Sequence, residues 1–459
     1  MIRPGGSRLP PLGLAVLSAI LLRVAIVAAT MSAEPLIDMV EYHDLAVSMV
    51  EGRGYATAQG PTAFREPLYP AFLATVFRVV GTPSVLAARL VQAGLGGLDV
   101  ALTYAAAATL GWNAAALPAA WIVALYPDRI LYATYLHREA LLGPLWLVQL
   151  VAFSFLWRSK SLWPAVLAGA TIAAGGLCNA VLLATSAVYS AVSLVSRHLR
   201  RRVLQVAVAW GVAMALASPW GYRNLRVLGA WVWTDTKGGN ALWEGNNEGW
   251  LEGNAEMAIR QAQWDRMEGM SEVEADRYAR AQALRFIRAH PDQALYLWWR
   301  KALQFWRLEL MPFFYYKQGY WGHLPAGVLA AAATITLPVF PLIVFGAAAG
   351  AAATWRQQST RVVMALVAGH WAACSVFIGG FRYHYPIVPV LAALAVIGWQ
   401  ARERIRGSAL AVWGVLALAF ALNFVDHVVA NWGQVRAMLG RGGKLEYSDT
   451  RSWMKKGLF

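Results

Sequence analysis

The sequence predicts an all-α polytopic membrane protein, with about 11 transmembrane helices and amphipathic interfacial helices in its outer loops. Three observations lead there. Of 459 residues, 58% are hydrophobic and only 14% are charged, against roughly 45–50% and about 25% in soluble domains. The apolar residues are gathered into runs long enough to cross a bilayer, and basic residues flank alternate runs. Such composition excludes a disordered chain, collagen or a coiled coil, since the apolar runs are dense and heptads do not persist. Cys178 and Cys374 lie far apart in apolar stretches and imply no disulfide framework.

Candidate spans cover 11–30, 84–109, 112–127, 139–157, 162–178, 180–196, 203–219, 325–353, 362–380, 385–400 and 408–427. The runs 112–127 and 385–400 are short, and Asn179 interrupts the region 162–196. Arg23 and the lack of a small-residue cleavage site read as a retained first helix rather than a signal peptide. With the N-terminus inside, the cytoplasmic loops carry Arg3/Arg8, Arg158/Lys160, Arg197/Arg200/Arg201/Arg202, Arg356/Arg361 and Arg402/Arg404/Arg406, with Glu403 their one acid. That is the positive-inside pattern. The tail after Asp426, with Arg436, Arg441, Lys444, Arg451, Lys455 and Lys456, departs from it and falls outside. The net charge of +15 therefore reads as a topology signal and not as a nucleic-acid surface.

This divides the chain into a transmembrane core, 1–219, whose first outer loop is 31–83; a large outer insert, 220–324; C-terminal transmembrane helices, 325–427; and a basic tail, 428–459. In the first loop, Met39, Tyr42, Leu45/Ala46 and Met49/Val50 form a helical stripe with acids opposite, which suits a helix lying in the interface. Gly52, Gly54 and Gly60-Pro61 break it, and a short helix starts at Pro67. In the insert, Trp231, Trp233, Trp243 and Trp250 interleave with Gly238-Gly239-Asn240 and Gly245-Asn246-Asn247, the pattern of an irregular loop at headgroup depth. Ser271-Glu272-Val273-Glu274 is a capping box opening a helix through Ile287, and Pro291 ends it and introduces another over Ala294–Leu308.

The carboxylates are sorted by side. Asp38, Glu41 and Asp44 follow the first span closely, and a carboxylate at the hydrocarbon edge near arginines is a candidate general base or metal ligand. A solvated helix face explains the same acids as well. Arg65, Arg223, Arg226 and Arg382 sit near membrane boundaries on that side, where converging guanidiniums suit a phosphate. Taken singly, each reads more simply as an arginine snorkelling to headgroups. No Walker loop, HExxH, paired CxxC or GxSxG occurs.

The run Asp38-Met39-Val40-Glu41-Tyr42-His43-Asp44-Leu45-Ala46, then Gly52-Arg53-Gly54-Tyr55, then Arg65-Glu66-Pro67-Leu68-Tyr69-Pro70 resembles the first outer loop of GT-C membrane glycosyltransferases. Within that superfamily it is similar to the bacterial aminoarabinose transferases and the protein mannosyltransferase-like proteins of glycosyltransferase family 39. Tyr126-Pro127 with Glu139, Ser218-Pro219-Trp220 with Arg223-Asn224, Gly238-Gly239-Asn240, and Phe381-Arg382-Tyr383 with Pro386 resemble later outer segments. The resemblance implies sugar transfer, with inversion, from a polyprenyl-phosphate donor to an envelope lipid, glycan or protein on the outer face of the cytoplasmic membrane. It implies Asp38 as general base, since Tyr42 and Ala46 follow at the family's spacing, with Glu139 a second acid in reserve. Arg65 stands where relatives place a phosphate-contacting lysine, and Arg223 and Arg382 join it at the donor phosphate. Met39 stands where many relatives carry a second acid, which weakens a paired-acid metal site; a divalent-cation requirement stays open and no metal ligands are assigned. Two rival readings are a transporter, for which Arg89 and Asp99 would mark a pathway, and a non-catalytic polyprenyl-lipid-binding relative. Arg89 and Asp99 read more plainly as a helix-packing ion pair.

Overall fold

The computed structural model describes residues 11–195, 198–252, 256–317, 319–322, 325–404 and 408–430. Arg3, Arg8 and nearly all of the basic tail lie outside the described residues. The helices are α1 Pro11–Ala29, α2 Asp38–Val50, α3 Leu68–Val80, α4 Val85–Thr109, α5 Asn113–Leu125, α6 Pro127–Leu131, α7 Glu139–Arg158, α8 Trp163–Cys178, α9 Val181–Leu194 and α10 Leu199–Leu228. They continue as α11 Gly238–Glu244, α12 Glu256–Met267, α13 Glu272–Ala289, α14 Pro291–Phe305, α15 Met311–Lys317, α16 Ala326–Thr336, α17 Val339–Thr354, α18 Gln358–Val376, α19 Val388–Gln400 and α20 Ser408–Ala430. A two-residue hairpin pairs β1 Ala56–Thr57 antiparallel with β2 Gly60–Pro61.

The chain is an all-α polytopic membrane protein, but the expected eleven spans are too many. Five described helices are long and apolar enough to cross, or six if the pair Asn113–Leu125 and Pro127–Thr134, bent by 56°, counts as one span. Other apolar runs end early. With 16 and 14 residues, α8 and α9 reach about 24 and 21 Å at the usual helical rise, against a hydrocarbon core of about 30 Å. Asn179 separates them in an extended conformation. The run 325–353 divides into α16 and α17 with Pro338 at the break, yet Ala331–Thr354 is still long and apolar enough to be one of the five.

Small residues set the packing of the spans. On α17, Gly346 and Gly350 are one helical turn apart, and a β-carbon on Gly350 would come within 1.9 Å of the Leu394 carbonyl oxygen of α19. Only glycine permits that approach, which is how helices gain contact where lipid offers no hydrophobic driving force. Several buried charged groups inside the bundle meet partners. Arg23 donates to the carbonyls of Ala19 and Ala124, and Arg129 binds Asp99 and the Tyr385 carbonyl. Arg89 and Asp99 therefore do not pair: Arg89 donates instead to the Ala33 carbonyl and the Tyr320 hydroxyl.

Helix α7 has Glu139 at one end and Arg158 at the other, about 30 Å along its axis. At the Arg158 end, Arg158 and Arg202 hold carbonyls of Thr109, Leu156 and Trp157. The Glu139 end carries α2, α3 and the insert. There the apolar stripe of α2, Met39, Tyr42, Leu45 and Ala46, is buried, and Met39, Tyr42 and Ala46 join a cluster with Tyr69, Leu73 and Phe77 of α3. The short helix expected at Pro67 extends as far as Val80. The Ser271 capping box forms and opens α13. Two parts of the insert differ from expectation: Gly238–Glu244 is a helix rather than irregular loop, packed on α13 through Trp243, Ala279 and Ala283, and α12 adds a further helix. The boundary at 219 also moves, since α10 continues through Pro219 to Leu228.

Candidate active site

Asp38 is the first residue of α2, where unpaired backbone N–H groups and the helix dipole favour an anion. The residue before it, Ile37, has φ 51°. That region favours glycine, and a β-branched residue there costs on the order of 1–3 kcal/mol. The strain turns the chain sharply, so that the carboxylate starts the helix facing the segment before α3.

Arg65 comes from that segment. Its guanidinium is 2.9 Å from Asp38 Oδ1 and 2.5 Å from Glu41 Oε2, one turn further along α2. From the turn before α19, Arg382 approaches Asp38 Oδ2 at 3.3 Å. Three segments remote in sequence thus meet at one carboxylate. The Arg65 side chain is only 4% exposed, and Asp38 is 19% exposed, so the pair is shielded without being sealed. Burial pushes the Asp38 carboxyl up, but Arg65, then Arg382, Lys237 and His137, outweigh it and hold it well below the usual carboxylate range. Burial pulls both guanidiniums down, while Glu41 and Asp38 (for Arg65) and Tyr383 and Asp38 (for Arg382) keep them firmly charged.

Glu139, the first residue of α7, lies 3.3 Å from His137 Nδ1, and His137 Nε2 meets the Tyr315 hydroxyl at 2.5 Å. Arg382 acts electrostatically on both Asp38 and Glu139. Arg223 is placed differently. It donates to the carbonyls of Thr62 and Tyr55, and its guanidinium lies 5.1 Å from the ring centre of Trp220. It braces the hairpin that leads to Arg65, with its guanidinium turned to backbone carbonyls rather than to Asp38.

Several residues of the site carried no signal singly. Arg138 pairs with Glu66 at 2.6 Å, and Glu66 also accepts from the Ala180 backbone N–H. The repeated Arg-Glu dipeptide, Arg65-Glu66 and Arg138-Glu139, at two polar–apolar boundaries of one side was the available clue. Lys237 sits 5.3 Å from the ring centre of Phe64; burial, then Arg65, lower its pKa to about 8. Deeper in, His384 Nε2 is 2.8 Å from Glu309 Oε2, and the Tyr132 hydroxyl reaches the other Glu309 oxygen at 3.5 Å.

Among the described residues no group of three or more His, Cys, Asp and Glu is arranged to hold a metal ion. Asp38 and Glu41 already accept from guanidiniums. A divalent cation entering there would have to displace fixed positive charge, so the pair as arranged does not fit one. Beside this charged cluster an open cavity of about 840 Å³ lies between α2, the hairpin, the end of α10, and α12 and α13, with Glu41 and Arg65 in its wall.

No protein-family model and no curated protein matches the chain. Solved structures do. The archaeal oligosaccharyltransferase AglB from Archaeoglobus fulgidus, in complex with an inhibitory peptide and a dolichol-phosphate, superposes with a TM-score of 0.52 at 12% identity, over 98% of this chain and 59% of that one. The same organism's oligosaccharyltransferase in the apo form gives 0.51 at 13% over 98% and 59%. Its complex with Zn and sulfate gives 0.51 at 12% over 97% and 55%. The chain thus spans less than two thirds of the length of the proteins it resembles. Identity this low shows the fold alone: the chain shares the fold of the archaeal oligosaccharyltransferase's matched part.

Proposed function

We propose that the chain is a membrane glycosyltransferase that moves a sugar from a polyprenyl-phosphate donor to an envelope acceptor, with inversion at the anomeric carbon. One observation carries this reading: a carboxylate at a helix start, gripped by two guanidiniums from distant segments, beside an open cavity at one end of a GT-C fold. The crowding of basic residues toward the Arg158 end supports placing that end in the cytoplasm and Asp38 on the extracytoplasmic side. Within GT-C enzymes, the Asp38–Tyr42–Ala46 spacing and Arg65 favour kinship with aminoarabinose transferases and protein mannosyltransferase-like enzymes.

The donor's isoprenoid tail stays in the bilayer, so its phosphate and anomeric carbon lie at headgroup level, where this end of the bundle stands. The acceptor hydroxyl or amide attacks the anomeric carbon as the bond to the phosphate oxygen breaks. The acceptor proton passes to Asp38, and the departing phosphate keeps the electron pair, its charge held by Arg65 and Arg382. Asp38 gripped by both arginines is a weak base. A phosphate binds guanidinium in bidentate fashion, so an arriving donor competes for those same arginines and loosens their hold on Asp38. Basicity then rises only when something is ready to be attacked. Arg223 serves as a positioning residue for the Arg65 segment, and Glu139 orients His137 next to the site.

The test is Asp38→Asn in the purified full-length protein in nanodiscs, with polyprenyl-phosphate sugars extracted from cells lacking the chain. Transfer falls by about 10²–10⁴-fold, the usual size of a general-base contribution, while thermal unfolding stays close to that of the parent. Full transfer by the variant removes the assigned base. The transporter reading loses its motivating pair, because Arg89 and Asp99 each have other partners.

A further inference from the structure

Lys301 of α14 is buried, 5% exposed, and has no part in the chemistry assigned above. Its Nζ lies 2.9 Å from the Gly245 carbonyl oxygen, 3.0 Å from Asn246 Oδ1 and 3.1 Å from the Val376 carbonyl oxygen. A lysine ammonium has three N–H donors, and each meets one of these oxygens. Val376 is the last residue of α18, an end where the helix dipole favours a cation. Gly245 and Asn246 directly follow α11 of the insert, and Asn246 Nδ2 also donates to the Val376 carbonyl at 3.0 Å.

The joint is packed as closely as it is bonded. A β-carbon on Gly245 would come within 1.8 Å of the Phe377 carbonyl oxygen. Gly379, at φ 69°, lies against Lys301 itself, where an added β-carbon would stand 2.7 Å from the Lys301 Cβ. Glycines at positive φ let the chain turn but lend it no stiffness, so the run from Val376 to Arg382 is held by its contacts. Lys301 anchors the start of that run, and Arg382 at its end reaches Asp38 Oδ2 at 3.3 Å.

We infer that Lys301 is a positioning residue whose ammonium clasps the insert to the end of α18 and thereby sets the turn that presents Arg382 to Asp38. The inference rests on the glycosyltransferase reading and adds a control of the same site. The charge is essential to the clasp, because a neutral amine has two N–H groups and turns a lone pair on the third oxygen. All three partners are uncharged, and burial lowers the Lys301 pKa to about 7. The titratable groups of the surrounding elements are engaged elsewhere. Glu244 of α11 pairs with Arg260, Arg382 with Asp38, and His384 with Glu309 and the Phe305 carbonyl. His370 of α18 meets the Thr185 hydroxyl, the Tyr383 carbonyl and Cys374. Arg300, next to Lys301 on α14, is exposed and lies 5.8 Å from the Tyr296 ring centre. The clasp is therefore closed at lower pH and opens as pH rises through about 7.

The test uses full-length protein in nanodiscs, with polyprenyl-phosphate sugars from cells lacking the chain at saturating concentration. The parent's kcat falls roughly 10-fold or more through a step near pH 7, the scale of a misplaced group at a reacting centre. Lys301→Met, similar in length but uncharged, gives the lower rate at every pH and no step. Asn246→Asp sets a carboxylate beside the ammonium and moves the step up by about one pH unit or more. Lys301→Met combined with Arg382→Gln loses no more than Arg382→Gln alone, since both act through one side chain. Without donor, backbone hydrogen exchange in Lys301→Met quickens over 245–247 and 376–384 and keeps the parent rate on α4 and α7. A parent kcat without a step near pH 7, a step that survives in Lys301→Met or stays in place in Asn246→Asp, additive losses in the double variant, or exchange quickened along the whole chain overturns the inference. The two proposals fail separately. Quickened exchange confined to the joint, with undiminished transfer by Asp38→Asn, sinks the catalytic reading alone. Loss of transfer in Asp38→Asn, with exchange at the joint unchanged by Lys301→Met, sinks the clasp alone.

Discussion

Asp38 and Glu309 are both acids held at the same end of the molecule, and their surroundings drive them in opposite directions. Burial pushes each carboxyl up. At Asp38 that push is overcome by Arg65 and Arg382. At Glu309 it is reinforced by Glu139 and only partly opposed by the Tyr132 hydroxyl and the more distant arginines, leaving a pKa of about 8. The nearest basic group to Glu309 is His384, and burial lowers that imidazole to about 3, so it offers no positive charge at neutral pH. Guanidinium keeps its charge wherever it is buried, whereas imidazole gives it up. The difference between an ionised acid at the reaction centre and a protonated one beneath it comes from that choice of neighbour.

The comparison can be broken most forcefully at Arg65. Arg65→Gln removes the larger of the two charges on Asp38, and transfer falls by about 10²–10³-fold, the cost of losing one preorganised donor at a developing anion. The residual activity carries a second sign. With less positive charge to oppose burial, the Asp38 pKa rises, so the acidic limb of the kcat/KM profile moves to higher pH. A limb that stays in place would show that the arginines do not set the charge of Asp38.

Lys237 gives a smaller effect of the same origin. Its charge adds to the Arg65–Arg382 cluster to which the donor phosphate is assigned, and with a pKa of about 8 that charge is lost as pH rises through that value, so the donor KM climbs several-fold above about pH 8. Lys237→Arg keeps the charge and flattens the climb.

Glu309 sharpens the other half of the comparison through stability. Its folded pKa, about 8, lies above the ordinary value of about 4.3. Its contribution is complete below pH 4 and is lost as pH rises toward 8. Melting in nanodiscs therefore shows a Tm that declines over that interval, and Glu309→Gln removes the part of the slope belonging to this group. Smallest is the effect of Ile37→Gly. Relief of the positive-φ strain offsets the entropy lost by glycine, so Tm changes little, while the freer turn before Asp38 lowers transfer by a few-fold. A loss of many degrees in Tm would show that Ile37 is not strained.

Parts of this architecture could be read residue by residue. The stripe Met39-Tyr42-Leu45-Ala46 predicts α2, and the Ser271–Glu274 pair predicts the start of α13, because each depends on neighbours three or four positions away. The helix Gly238–Glu244 ran against local preference: glycines and Asn240 argue for a loop, and packing of Trp243 against Ala279 and Ala283 of α13 overrides them. The span count failed for a related reason. A hydropathy run shows that a segment shuns water, but α8 and α9 are shorter than a full span and bury part of their apolar surface against other helices.

At the site, Asp38, Arg65, Arg223 and Arg382 were all visible as charges near membrane boundaries, yet their roles divided only in three dimensions. Arg65 and Arg382 close on Asp38, and Arg223 turns to backbone carbonyls. The sequence by itself determined the membrane class, the sorting of charge along the chain, and the helix on which the candidate base stands, since all of these follow from composition and short-range periodicity. Tertiary structure alone decided which cation meets which acid, that Arg89 and Asp99 part company, and that an acid-lined cavity opens beside Arg65. Those outcomes depend on Coulomb forces and contacts between segments up to 344 positions apart, whose distances no local pattern encodes.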